Sequence, residues 1–242
     1  MTRGIARKFC LASTMIMALA VFGCSSVPSI RTSIKPSESK RQYLNLKKVA
    51  ILPLENVAGE KGAENQVVDL LLTELNISNA FEEVEEPRYV ASVLKALKIR
   101  KIDALDAETV SKLGSEMKAQ AILFGDINAW GLGEGSEAAM HVSMTLTLLD
   151  TTTGKPIWVG SGSHRGSFSW GRVFGLNEGP TDLDIGREVV HSLVKAMTKE
   201  IEGKRKAELV RIKADESAKL KAAAEAEKRR LEEQMKTKEP GK

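Results

Sequence analysis

The sequence predicts an α/β fold of the α+β type, in which a mixed β-sheet is flanked by helices and followed by a long charged helix. Two short apolar runs, at residues 49–52 and 121–124, are typical of strands covered on both faces. Residues 140–150 alternate apolar and polar side chains, as a half-exposed strand does, and residues 155–166 return as a partner strand. Amphipathic helical segments lie between these strands and after them. The predicted order is therefore β-α-β-α-α-β-β-β-α.

The predicted domain begins at residue 44 and its first strand ends at Pro53, because proline cannot donate to a strand ladder. Residues 81–86 are a short strand candidate, and Pro87 suits the first position of the helix that follows. The helix between these two strands is indicated by apolar residues at helical spacing, namely Val67, Val68, Leu71, Leu72 and Leu75.

The second half of the domain is marked by capping and turn residues. Asp106 is predicted to cap the third helix. Gly154 closes the turn between the two later strands, since glycine adopts a positive φ without strain. Thr181 or Asp182 can cap the last domain helix, in which apolar residues recur every four positions up to Ile201. The domain is therefore predicted to span residues 44–202.

The first 23 residues have the features of a secretory signal peptide. Arg3, Arg7 and Lys8 precede an apolar stretch of 14 residues, at positions 9–22. Since a bilayer span needs about 20 apolar residues, this stretch is predicted to be a cleaved signal. Cys10 leaves with that signal, so no disulfide is expected in the mature chain.

Residues 21–24, Val-Phe-Gly-Cys, resemble the lipobox of bacterial lipoproteins. The resemblance implies cleavage after the small Gly23 and acylation of Cys24, with palmitate or a similar chain. Ser25, in place of an aspartate, implies sorting to the periplasmic face of the outer membrane. An ordinary secretory signal with an incidental Cys24 is the alternative.

Residues 24–43 are predicted to be a flexible linker. After the cysteine they contain six serines, two prolines and no apolar periodicity. Nineteen such residues could span about 60 Å, so the body could stand well away from the membrane.

Charge is distributed unevenly along the predicted mature chain. Residues 24–43 carry a net charge of +3, residues 44–202 carry −7 and residues 203–242 carry +5. An acidic body between two basic ends is not the pattern of a nucleic-acid-binding domain, so no nucleic-acid partner is expected.

Residues 203–242 are predicted to form a charged helical tail. They are rich in Ala, Glu, Lys and Arg, which favour helix. The apolar residues do not keep a heptad, which indicates a long exposed helix; a coiled coil with another copy or a partner is the alternative.

Three segments of the body resemble the superfamily that includes the curli secretion channel CsgG, the activators of penicillin-binding proteins such as LpoB, the flagellar lipoprotein FlgO and the N-terminal domain of TolB. The segments are residues 47–59, 119–127 and 146–158. The resemblance covers residues 46–202. It implies a compact periplasmic α/β domain that binds other proteins, often in rings, without catalytic residues or a cofactor.

This chain resembles the compact members of the superfamily. The curli channel forms its pore from two long inserted hairpins. Here only residues 130–139 separate two strands at the first insertion point, and a spanning hairpin needs two strands of about 9–11 residues. The second place, residues 163–181, is rich in glycine and lacks the alternation of a lipid-facing strand. No pore is therefore predicted.

No catalytic or metal-ligating constellation is present in the sequence. His141, His164 and His191 show no metal-ligand spacing, and no cysteine remains in the predicted mature body. The three histidines are expected to face solvent or to have ordinary hydrogen-bond partners. We therefore expect a protein that is not an enzyme.

One glycine-rich segment is a candidate contact for a protein partner. Residues 166–176 contain Phe168, Trp170, Arg172 and Phe174, and aromatic residues and arginine are enriched at interface hot spots. The alternatives are a lid that folds back on the core and a contact with the membrane interface.

Together these features predict an outer-membrane-anchored periplasmic lipoprotein that binds an envelope protein and acts as an accessory or regulatory factor of a cell-envelope machine. The alternative is a ring-forming, homo-oligomeric component of an export or appendage-assembly complex of curli or flagellar type. The sequence does not identify the partner.

Overall fold

The computed structural model describes residues 27–100, 102, 105–132, 139–166 and 180–238. The strands in these ranges are β1 Ser29–Ile34, β2 Lys48–Ile51, β3 Glu55–Asn56, β4 Glu83–Val84, β5 Ala121–Leu132, β6 Met140–Asp150 and β7 Pro156–Arg165. The helices are α1 Ala63–Ser78, α2 Pro87–Ala96, α3 Ala107–Met117 and α4 Asp182–Lys238.

The described strands form one mixed sheet in the order β1-β7-β6-β5-β2-β4, with β3 beside β5. Strands β5, β6, β7 and β1 are successively antiparallel, whereas β2 runs parallel to both β4 and β5. The predicted α+β fold, with a mixed sheet, flanking helices and a long C-terminal helix, is confirmed. Strands β1 and β3 are additions to the predicted order.

Two apolar cores lie on opposite faces of the sheet. Along β2, Val49 and Ile51 join the larger core, while Ala50 joins the smaller one, as expected of a strand covered on both faces. Helices α1 and α4 cover the larger core, and α2 and α3 cover the smaller core. The predicted inward face of β6 is buried in the larger core; it consists of Val142, Met144, Leu146 and Leu148.

Side-chain caps mark the start of α3 and of α4. The carboxylate of Asp106 accepts a hydrogen bond from the backbone N–H of Thr109 at 2.7 Å, as predicted for an N-cap. Of the two candidate caps for α4, Thr181 holds the position. Its Oγ1 accepts from the N–H of Asp184 at 3.1 Å, and the Asp184 carboxylate accepts from the N–H of Thr181 at 3.1 Å.

The structure corrects the linker predicted for residues 24–43. Residues 29–34 form β1, an edge strand with Ser29 opposite Ser163 and Ile34 opposite Trp158. Ile30 and Ile34 pack against the larger core. The physical reason is the alternation of Ile30, Thr32 and Ile34, which offers a short half-apolar strand to the open edge of β7.

Helix α4 runs without a break through the boundary predicted at residue 203. It contains 57 residues, which corresponds to a length of about 85 Å. Ile201 and Glu208 are buried against the body, whereas every side chain from 216 to 234 is exposed. Residues 216–238, called the projecting segment below, extend about 34 Å along the helix axis.

Candidate functional site

The residues predicted to carry function lie outside the described part of the chain. Cys24, the predicted lipid-attachment site, precedes residue 27, and the predicted partner contacts Phe168, Trp170, Arg172 and Phe174 fall between residues 166 and 180. Their positions are therefore constrained by the described residues on either side of them.

The ends of the predicted contact segment meet at one end of the sheet, called the loop end here. The backbone N–H of Gly166 donates to the carbonyl of Met140 at 2.7 Å, so the chain leaves β7 beside the start of β6. A Cβ atom on Gly166 would lie 2.8 Å from Ile185 Cδ1 and 3.4 Å from Pro180 Cγ. The segment between Gly166 and Pro180 therefore leaves and returns at neighbouring points.

Trp130 fixes the start of α4 to the loop end. Its indole Nε1–H donates to the carboxylate of Asp182 at 3.1 Å. Its ring lies against Gly186, where a Cβ atom would come within 2.4 Å of the ring. Only 6% of Trp130 is exposed, so the place where the contact segment re-enters the body is firmly packed.

The chain that comes from Cys24 also reaches the body at the loop end. Ser29 lies opposite Ser163, two residues before the end of β7. Only residues 25–28 separate Cys24 from β1, so the Cα atoms of Cys24 and Ser29 are at most about 17 Å apart. Because β1 forms, this reach is less than a third of the roughly 60 Å that residues 25–43 could span as a fully extended linker.

Beyond β1, the N-terminal segment is held by α4. Glu208, which is 4% exposed, accepts hydrogen bonds from the backbone N–H groups of Tyr43 at 3.2 Å and Leu44 at 3.0 Å. Arg205 Nε donates to the carbonyl oxygen of Tyr43 at 3.0 Å. We call Tyr43, Leu44, Arg205 and Glu208 the clamp, because they join the N-terminal segment to α4.

The clamp includes a buried phenol, the side chain of Tyr43. Burial raises the pKa of Tyr43 to about 12, with further contributions from the nearby carboxylates of Glu208, Asp150 and Glu200. The Tyr43 hydroxyl donates to the carbonyl oxygen of Lys35 at 2.5 Å. Sequence reasoning missed the clamp. Its one available indication is that Arg205 and Glu208 continue the buried stripe of Ile201 at helical spacing.

The three histidines have protein partners, as expected. His141 lies 3.1 Å from Ser163 Oγ, His164 lies 3.1 Å from Glu188, and His191 lies 2.8 Å from Glu74. Beside His191 a groove of about 390 Å³ runs between α1 and α4, over Ile77 and Val194.

No cluster of three or more His, Cys, Asp or Glu residues in the described ranges has an arrangement that could hold a metal ion. None of the helices in the same ranges is both long and apolar enough to cross a bilayer.

The described residues form an α+β body in which the N-terminal segment and the two ends of the predicted contact segment lie at the loop end, while α4 projects beyond the opposite end. A family model described as "Peptidoglycan-synthase activator LpoB" matches residues 18–163. The chain belongs to this family, which confirms the resemblance noted from the sequence. The family consists of non-enzymatic accessory factors of envelope machinery, and the match ends within β7, before α4.

Several solved structures are similar to this chain at low sequence identity. The PelC dodecamer from Paraburkholderia phytofirmans is 14% identical, with a TM-score of 0.46, over 69% of this chain and 95% of that one. Lipoprotein GNA1162 from Neisseria meningitidis is 20% identical, with a TM-score of 0.43, over 65% and 99%. The LpoB C-terminal domain from Escherichia coli is 15% identical, with a TM-score of 0.37, over 49% and 82%. A comparison with curated proteins gave no match.

Proposed function

We propose that this protein is an outer-membrane lipoprotein that binds a peptidoglycan synthase in the periplasm and raises its activity. The observation that carries the proposal is the family match over residues 18–163, which includes both Cys24 and most of the sheet. The acylated Cys24 is the anchor, and the body acts by contact alone. Several acyl chains on one cysteine would give a durable anchor, because each buried methylene contributes about 0.8 kcal/mol.

The short connection between Cys24 and β1 sets the orientation of the body relative to the membrane. With Cys24 in the membrane and at most about 17 Å between it and Ser29, the loop end is held close to the lipid surface. Helix α4 starts at the loop end beside Trp130 and passes Trp158 and then Tyr43. The projecting segment is therefore directed away from the membrane and towards the cell wall.

Phe168, Trp170, Arg172 and Phe174 are the partner contacts in this proposal. They belong to a segment whose two ends are fixed at the loop end by Gly166 and Pro180. Fixed ends lower the entropy lost when such a segment binds, which favours its use as a contact.

The anchor is tested by growing cells with labelled palmitate. The wild-type protein is expected to carry the label and to sediment with outer membranes, whereas Cys24→Ser is expected to do neither. An unlabelled wild-type protein that is released by a salt wash would contradict the proposed anchor.

Activation is tested with the signal-free Cys24→Ser protein and a purified penicillin-binding synthase from the same cells. The rate of glycan-chain polymerisation is expected to rise on addition of the protein. A Trp170→Ser, Phe174→Ser variant is expected to lose this effect, while Ser167→Ala, Ser169→Ala retains it. An unchanged rate with the wild-type protein would rule out activation of that synthase.

A further inference from the structure

Three exposed apolar side chains lie at the loop end. They belong to Val27, Leu132 and Leu183, which are 79%, 58% and 36% exposed. Leu132 is the last residue of β5, two positions after Trp130. Leu183 is in the first turn of α4, next to Asp182, which accepts the hydrogen bond of Trp130. The contact that fixes α4 to the loop end therefore brings Leu132 and Leu183 to the same end of the body.

Val27 adds the third side chain to this end from the edge of the sheet. It precedes the first residue of β1, Ser29, by two positions, and Ser29 lies opposite Ser163 near the end of β7. Strands β1 and β5 are separated by β7 and β6, so they are about 15 Å apart at the usual spacing of strands. We call Val27, Leu132 and Leu183 the apolar edge.

Chain length determines what lies against the apolar edge when Cys24 is acylated. Only Ser25 and Ser26 separate Cys24 from Val27, so the Cα atoms of Cys24 and Val27 are at most about 10 Å apart. The headgroup layer of a bilayer is itself about 5–8 Å thick. Val27 is therefore held within reach of the lipid headgroups, and the occupant that chain length selects for the apolar edge is the membrane surface.

The charged groups around the apolar edge are compatible with a lipid surface. The first two turns of α4 contain three carboxylates that each have a partner within the protein; they are Asp182, Asp184 and Glu188. Arg187 is exposed and lies one turn after Leu183 on the same side of the helix. Arg31 of β1 and Arg165 at the end of β7 are also exposed. Guanidinium groups in these positions can bind lipid phosphates while the apolar side chains enter the layer beside them.

We propose that the apolar edge inserts into the interfacial layer of the outer membrane, so that the loop end rests on the lipid surface beside the acylated Cys24. This step rests on the proposed function, because it requires the anchor. The contact gains free energy from the apolar area that leaves water. A weak contact is sufficient, since the anchor keeps the apolar edge at a high effective concentration relative to the lipid. Attachment at two points of one end holds the body in a single orientation.

The contact is tested without the anchor, by co-sedimentation of the signal-free Cys24→Ser chain with phosphatidylcholine vesicles. The bound fraction is expected to rise with lipid concentration. Leu132→Ser combined with Leu183→Ser is expected to lower the partition constant by more than about tenfold, because two apolar side chains no longer leave water.

The matched control combines Ile77→Ser with Leu220→Ser. Ile77 and Leu220 are 66% and 72% exposed, and they lie away from the loop end, in the groove between α1 and α4 and in the projecting segment. The control is expected to leave the partition constant unchanged. Far-ultraviolet circular dichroism checks that both double variants remain folded.

The position of the apolar edge is tested in the lipidated protein, reconstituted in phosphatidylcholine vesicles. Leu183→Cys supplies a single free thiol for an environment-sensitive fluorophore, and Ala218→Cys in the projecting segment supplies the same label at the other end. Lipids that carry a nitroxide on the acyl chain are expected to quench the label at residue 183 and to leave the label at residue 218 unquenched.

A Cys24→Ser chain that stays in the supernatant at every lipid concentration would overturn the proposal. So would an equal loss of binding in the two double variants, since the contact would then lie elsewhere, and so would equal quenching of the two labels. Co-sedimentation needs neither an acyl chain nor a synthase. Its failure is therefore distinguishable from failure of palmitate labelling or of activation.

Discussion

Glu208 shows how one buried carboxylate ties together distant parts of the sequence. It is nearly inaccessible to solvent, yet it lies in a stretch whose composition is that of an exposed helix. A buried charge is tolerated only when it is paired or hydrogen-bonded, and here two backbone N–H groups meet that need. The contact fixes the N-terminal segment to α4 across 165 positions of the chain.

Glu208→Ala is expected to lower the free energy of unfolding by about 2–4 kcal/mol, because the N–H groups of Tyr43 and Leu44 lose their acceptor in a buried site. Urea denaturation followed by circular dichroism measures the loss. Glu216→Ala, on the exposed part of the same helix, is the control and is expected to change stability by less than about 0.5 kcal/mol. Equal losses in both variants would show that the clamp does not stabilise the fold.

The ionisation of Tyr43 predicts a loss of stability in alkali. Its folded-state pKa is raised from 10.0 to about 12, so folding favours the neutral phenol. That contribution is fully present below pH 10 and is lost as the pH rises towards 12, by about 2–3 kcal/mol in total. The midpoint of urea unfolding should therefore fall more steeply between these pH values for the wild type than for Tyr43→Phe. Parallel curves would contradict this assignment.

At the scale of elements, the edge strand β1 is held in place by two other elements, β7 and α4. It is held by the ladder to β7 and by Glu200 of α4, which accepts from Thr32 Oγ1 at 2.6 Å and from Trp158 Nε1 at 2.9 Å. One carboxylate thus joins β1, β7 and α4. Since an edge strand has a single neighbouring strand, such a side-chain contact contributes a large share of what keeps it in place.

Glu200→Ala is expected to loosen β1 selectively. The Thr32 hydroxyl and the Trp158 indole N–H lose their acceptor, which costs about 1–3 kcal/mol. Hydrogen–deuterium exchange should show faster exchange of the amides of residues 29–34, with little change in α2 and α3. Glu202→Ala, two positions on in the same helix, is the control. Unchanged exchange in β1 would mean that the ladder alone holds the strand.

At the scale of the whole molecule, the described chain has two structurally different ends. The N-terminal entry and the ends of the predicted contact segment lie at the loop end, and the projecting segment extends from the opposite end. The exposed side chains of residues 216–234 contribute little to the body, which is held together by its two cores. The projecting segment is therefore expected to be separable from the fold.

Ending the chain after Glu216 is expected to leave the thermal midpoint unchanged at low protein concentration, because the deleted side chains are exposed. Ending it after Lys204 removes Arg205 and Glu208 and is expected to lower the midpoint by several degrees. Circular dichroism of the two truncated proteins makes the comparison. A similar midpoint for both would show that the clamp is dispensable.

Sequence patterns were sufficient to predict those elements that depend on residues close together in the chain. The apolar run at residues 49–52, the alternation in β6 and the caps at Asp106 and Thr181 all depend on neighbours within a few positions. Gly154 takes the positive φ expected of it, at 68°. The family resemblance rested on the same kind of local segments, in the right order, and the family match confirmed it.

The sequence by itself thus determined the fold class, the family and the absence of a catalytic set from its residue types. Only the tertiary structure decided that β1 forms, that Cys24 lies within about 17 Å of β1, and that Glu208 is buried. The physical reason is that these features depend on pairs far apart in the chain, such as Ser29 with Ser163 and Tyr43 with Glu208. A serine-rich segment and a charged helix each look solvated until the edge of β7 and the backbone of residues 43–44 are placed beside them.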